Sequence, residues 1–269
     1  MMTKDKNDVM RRKSEKSAAA PCLRITKLGI VSRDYNHKYK NEYRDFSSVL
    51  SNVLDLLDRN GCDTVVFSLF SVVPRKSFNP YDCLKGLRNI KVVLFEEFKD
   101  AAKRERGRYV VYHSSKGWQE YDFLQQFGTL AGKDKDDILN FVDKEIPKRV
   151  MGNCCVLLCG ETNGVKYSPK DKKVHDVFEL IASIPKTANI ILNPIHDRMT
   201  RFEMKLKRQF LSENNRWVVS VWNKGKKDRN GRSKDGKGPA WTIFYDGEEI
   251  VVTPIENQLG VEIGELNIV

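Results

Sequence analysis

The chain has 269 residues, 40% of them hydrophobic, and a formal net charge of +11. That length supports one sizeable core, so a single large α/β domain is expected, and no apolar run approaches the roughly 18–20 residues of a membrane span. The start is polar and has no apolar segment of the secretory kind, so the chain reads as cytoplasmic.

Residues 1–20 are charged, then Ser/Ala-rich, and read as a disordered basic tail ahead of a domain over 21–269. A strand is expected at 23–31. Phe46, Val49, Leu50, Val53, Leu54 and Leu57 recur at helical spacing and predict a helix over 43–59. Gly61 follows it, where a left-handed residue is favoured. Residues 63–73 are nearly continuously apolar and read as a buried strand. Strand, helix and strand in this order suggest a layered α/β domain. Further strands are expected at 90–95, 108–113 and 154–159. The polar stretch 116–149 allows a short helix at 136–143. A helix is expected at 174–184, a strand at 188–193 and a helix opened by the Thr200–Glu203 capping box. A strand follows at 216–222. The chain then forms a hairpin of 240–245 with 248–254, turned by Asp246-Gly247.

Six cysteines, at 22, 62, 83, 154, 155 and 159, form no CxxC pair, and the four histidines are scattered. No metal site is therefore expected. Neither GxxxxGK[ST] nor GxGxxG occurs, which argues against P-loop and dinucleotide sites. The basic excess is concentrated in two places. Lys4, Lys6, Arg11, Arg12, Lys13 and Lys16 lie in the tail. Lys224, Lys226, Lys227, Arg229, Arg232, Lys234 and Lys237 lie in residues 224–237. Solvated charge is the favoured reading, with an acidic partner such as nucleic acid as the alternative.

Four segments carry a family resemblance. Val156-Leu-Leu-Cys-Gly-Glu161 is an apolar strand that ends in a cysteine and an acidic residue. Ile190-Ile-Leu-Asn-Pro194 is the next such strand. The third segment is Phe210-Leu-Ser-Glu-Asn-Asn-Arg-Trp-Val-Val-Ser-Val-Trp-Asn223, and the fourth is Gly238-Pro-Ala-Trp-Thr-Ile-Phe-Tyr-Asp-Gly247. Together they resemble the nitrilase, or carbon–nitrogen hydrolase, superfamily. The likeness spans about residues 23–269 and is concentrated in 155–252.

The resemblance implies a four-layer α-β-β-α sandwich, no cofactor, and a homodimer or larger assembly. It implies hydrolysis of an amide- or nitrile-type small molecule through a cysteine acyl-enzyme. Cys159 stands at the nucleophile position, and Gly160 would offer its backbone N–H to an oxyanion. Lys116, after the strand at 108–113, is the choice for the family's lysine, with Lys133 as runner-up. Glu161 and His196 follow core strands and are candidates for binding or for proton transfer. Where the family has its glutamate, this chain has Leu69, which can neither accept a proton nor balance an ammonium. Glu96 and Glu97 are conceivable substitutes that read as solvent-facing, and Glu120 is a weaker candidate. The incomplete Glu-Lys-Cys set leaves a catalytically degenerate binding or assembly module as the alternative.

Overall fold

The computed structural model describes residues 24–33, 45–72, 78–97, 107–114, 117–128, 135–198, 202–225, 227 and 230–268. The tail, Lys116, Lys133 and Thr200 lie outside the described residues. In the first half are β1 (Lys27–Arg33), α1 (Leu50–Arg59), β2 (Thr64–Phe67), α2 (Pro80–Leu84), β3 (Val92–Glu97), β4 (Arg108–His113) and β5 (Gln119–Phe123). The second half opens with α3 (Lys135–Asn140), β6 (Val150–Met151), β7 (Cys154–Val156), β8 (Lys166–Ser168), β9 (Lys173–His175) and α4 (Leu180–Ser183). It closes with β10 (Ile190–Asp197), α5 (Phe202–Ser212), β11 (Trp217–Asn223), β12 (Trp241–Tyr245), β13 (Glu248–Ile250) and β14 (Val261–Asn267).

Two six-stranded sheets result, in the orders β14-β1-β2-β3-β4-β5 and β13-β12-β11-β10-β7-β6. The central trios β1-β2-β3 and β7-β10-β11 are parallel, with antiparallel strands at the margins. Strands covered on both faces read as continuous apolar runs, so each strand's alternation decides only which layer a residue enters. Ile30, Val66, Leu94, Cys154, Val156, Leu192 and Val219 meet in the core between the sheets. Val65, Phe67, Val93 and Phe95 turn outward against Leu50, Val53, Leu54 and Leu57 of α1. Cys155, Leu157, Ile191 and Val218 turn outward against the layer of Ile138, Leu180 and Leu211. The architecture is the expected four-layer α-β-β-α sandwich.

Several expected elements differ in detail. The helix expected at 43–59 starts only at Leu50, because Asp45 takes the Ser47 N–H and hydroxyl and holds 45–49 as a turn. The helix expected at 174–184 is mostly absent. Residues 173–175 pair with β8, Glu179 has a left-handed φ of 57°, and the Asp176 carboxylate caps Leu180 and Ile181, so only Leu180–Ser183 is helical. The hairpin turns where expected, with Asp246 and Gly247 both at positive φ, as a tight type I′ turn requires, but its second strand ends at Ile250 rather than at 254.

At one end the sheets are joined by buried polar groups rather than apolar contact. Ser68 Oγ donates to Asn223 Oδ1 at 2.6 Å, and Asn223 Nδ2 donates to the Leu69 carbonyl. Leu69 N donates to the Ile195 carbonyl, and Ser32 Oγ to the Trp222 carbonyl. Asn223→Ala strands the Ser68 hydroxyl and the Leu69 carbonyl in a dry interior. The expected loss is about 1–3 kcal/mol of unfolding free energy, read from urea denaturation.

Candidate active site

The joined end of the sandwich is where β2, β3, β7 and β10 run out, and it gathers the chemistry. After β7 the chain turns into a 3₁₀ segment, Cys159–Gly164. Cys159 opens it with φ of 37°, a strained conformation for a residue with a side chain, of the kind concentrated at functional sites. The turn is braced from beneath. Asn193 Nδ2 donates to the carbonyls of Leu157 and Cys159, and the Ser220 hydroxyl orients that amide by donating to Asn193 Oδ1 at 3.0 Å.

His196, near the end of β10, lies beside the side chains of both Cys159 and Glu96, and both favour its charged form. Its Nε2 lies 3.4 Å from Glu96 Oε2. Glu96, in the last turn of alternation of β3, is buried and also accepts the Phe70 N–H at 2.6 Å. The Phe70 ring lies 4.0 Å from the imidazole, centroid to centroid. Burial opposes charge on His196, but the interactions with Cys159 and Glu96 outweigh it and raise the imidazole to about 10. A cationic imidazole beside a sulfur is the setting in which thiolates form. Three other cysteines are deeply buried. Burial pushes the Cys62 and Cys155 thiols up to about 12 and raises Cys154 as well, which leaves them inert.

The expected site residues therefore separate. Cys159 and His196 are brought together. Glu96, expected to face solvent, joins them. Glu97 is buried too, but on the opposite face of β3, where it binds Arg108 and the Tyr112 hydroxyl at 2.7 Å. Glu120 binds Arg108 and Tyr81. Leu69 is buried in the core between the sheets. Glu161 is fully buried and braces the turn. It pairs with Arg149 and accepts the Leu158 and Gln126 N–H groups, each at 2.7 Å. Burial raises the Glu161 carboxyl, and Arg149 works against that rise. Gly160 packs against backbone, and a Cβ there would sit 1.8 Å from the Gly128 carbonyl oxygen. In the basic stretch, Lys224 pairs with Glu262, and the Asp235 carboxylate takes the Gly225 N–H. Residues 226, 228 and 229 lie outside the described residues. Trp217, Trp222 and Trp241 are buried.

Sequence reasoning missed Arg208 and Lys207 of α5. Both are charged yet buried, and Arg208 senses the Cys159 sulfur. Their signal was a pair of cations on the inward side of an amphipathic helix. Among the described residues no three His, Cys, Asp or Glu side chains gather as a metal would need, and no helix is long and apolar enough to cross a membrane.

No family model matches the sequence, and no curated protein sequence matches it. Solved structures do. A carbon–nitrogen hydrolase from Helicobacter pylori G27 superposes with a TM-score of 0.50 at 12% identity, over 91% of this chain and 89% of that one. A CN-hydrolase superfamily protein from Xanthomonas campestris, with an arsenic adduct in its active site, gives 0.50 at 12% over 91% of each chain. The fold is that of the carbon–nitrogen hydrolase superfamily.

Two outcomes follow from this geometry. Glu161→Gln leaves Arg149 buried without its counter-charge, and the expected cost is about 3–5 kcal/mol in chemical denaturation. His196 has a folded pKa near 10, above its ordinary 6.5. Its stabilising contribution is therefore complete below the lower value and is lost as pH rises through the upper one. The gap in urea midpoint between wild type and His196→Gln should be widest at acidic pH and narrow as pH approaches 10.

Proposed function

We propose that this protein is a cysteine-dependent carbon–nitrogen hydrolase in which Cys159, His196 and Glu96 form the working set. The observation that carries the reading is the contact of His196 with both Cys159 and Glu96 at the end of the parallel strands. Glu96 replaces the side chain that Leu69 lacks, and His196 supplies the proton transfer.

The sulfur of Cys159, as thiolate, attacks the substrate's acyl carbon, and negative charge builds on its oxygen. By resemblance, the backbone N–H of Gly160 is the donor for that charge. The His196 imidazolium gives its proton to the leaving nitrogen, the C–N bond breaks, and the amine departs from a thioester on Cys159. His196, now neutral, takes a proton from water. The hydroxide attacks the thioester, the acid leaves, and the thiolate–imidazolium pair is restored. Glu96 holds the ring for both transfers. Lys116 is a further candidate cation, by resemblance alone.

The test is acylation. Incubation with 4-nitrophenyl acetate followed by mass spectrometry should place one acetyl group on the Cys159 peptide, and a panel of primary amides should be hydrolysed. His196→Gln should lower turnover by about 10²–10⁴-fold, the range of general acid–base catalysis. Glu96→Gln should lower it less and shift the alkaline limb of the pH–rate profile downward. A folded protein whose Cys159 is never acylated would sink the reading.

A further inference from the structure

Arg208, on α5, is only 4% exposed. Its Nη1 donates to Thr242 Oγ1 at 3.3 Å, while Nε and Nη2 are buried and have no hydrogen-bond partner. Nε and Nη2 share one edge of the guanidinium plane, and their N–H bonds run parallel. That edge takes both oxygens of a carboxylate at once. The Trp222 ring centroid lies 6.0 Å from the Arg208 guanidinium carbon, and Trp222 Nε1 is a third buried donor without a partner. The complement of three such donors is a group that only accepts, which is what an ionised carboxylate is.

These donors lie close to Cys159. Trp222 packs with Ile195, Ala240 and Cys159 in one apolar cluster. Burial pulls Arg208 down to about 10, attraction to the Cys159 sulfur opposes the fall, and repulsion from Arg198 adds to it. Arg198 is held in place by a hydrogen bond from Nη1 to the Asp235 carbonyl at 2.8 Å. It lies over Gly236, where a Cβ would meet that nitrogen at 1.7 Å. Lys207, the residue before Arg208, is engaged elsewhere, with its Nζ on Asn163 Oδ1 at 2.8 Å. A buried cation with unpaired donors is costly, and a matching counter-ion offsets that cost.

We propose that the Nε–Nη2 edge of Arg208, flanked by Trp222 and Arg198, receives a carboxylate carried by the substrate, so that the acyl compounds attacked at Cys159 are anionic. This assignment rests on the hydrolase reading and narrows its substrate class. A developing oxyanion offers that edge a single oxygen, whereas a carboxylate offers one oxygen to each N–H.

Two reagents that differ in charge but hardly in shape test it. Iodoacetate and iodoacetamide alkylate a thiol by one displacement, in which the S–C bond forms and iodide leaves. The rate ratio of iodoacetate to iodoacetamide at Cys159 in the folded chain should exceed that of the urea-unfolded chain by about tenfold, or 1.4 kcal/mol. Arg208→Met should erase the preference. Arg208→Lys keeps the charge without the fork and should lose most of it. The second measurement is the melting temperature of the Cys159→Ala protein, which propanoate should raise and propanamide should not. Equal shifts from the two, or an alkylation ratio equal to that of the unfolded chain, would overturn the proposal and leave these donors to water. An anion preference that persists in a protein without amide turnover would instead overturn the hydrolase reading and leave the Arg208 site standing.

Discussion

The Glu161 carboxylate, sealed inside the protein against Arg149, is the constraint on which the site's geometry depends. Neither side chain is exposed to solvent. Buried pairs of this kind seldom add net stability, because desolvation consumes most of the Coulombic gain. What this one supplies is position. The carboxylate takes the N–H of Leu158, the residue before Cys159, and the N–H of Gln126 from the segment that crosses above. Arg149 is fixed in turn by the Leu124 carbonyl and by the faces of Phe123 and Phe141. The turn carrying Cys159 and the segment over Gly160 are thereby locked to each other. The close approach at Gly128 leaves no room for a side chain at 160.

With that turn fixed, the surrounding charge becomes specific. Glu96 is the acidic group in contact with His196, while Arg208 and Arg198 stand nearby and repel each other. Among the described residues, a buried arginine with a second arginine close by favours the approach of an anion. The carboxylate that might have neutralised that positive charge, Glu161, is held by Arg149 beneath the turn. Keeping that acid out of the pocket preserves the cationic field around the sulfur.

How much of this was legible in the sequence depended on how local its cause was. The Asp246-Gly247 turn and the apolar stripe of α1 are set by near neighbours, and they formed as expected, whereas the strand expected over 154–159 stops at Val156 and Cys159 opens the 3₁₀ segment. Strand β14 was missed because Gly264 interrupts its alternation. That glycine is required by a distant contact, since a Cβ there would lie 2.8 Å from Trp241 Cζ2. Residues 174–184 carry apolar side chains at helix-like intervals, yet Asp176 works as a cap at 180 and 181, so the helix begins late. The buried pairing of Glu161 could not be read from its place after a core strand. Only the partner at Arg149, twelve residues earlier, reveals a brace.

The carboxylate at Glu96 is the clearest case of information that spacing cannot carry. β2 and β3 are adjacent and parallel, with Val66 opposite Leu94, so both strands run out at the same edge of the sheet. A group at the end of either strand can reach the same point in space. Leu69 follows β2 and fills the core between the sheets, while Glu96 reaches His196 from β3. In sequence this looks like the loss of an acid at one position and an unremarkable pair of acids some twenty-seven residues later. The pleat separates that pair, turning Glu96 toward the Cys159 side and Glu97 toward Arg108. A missing residue in a linear motif is therefore weak evidence for a missing function wherever parallel strands present several termini to one site.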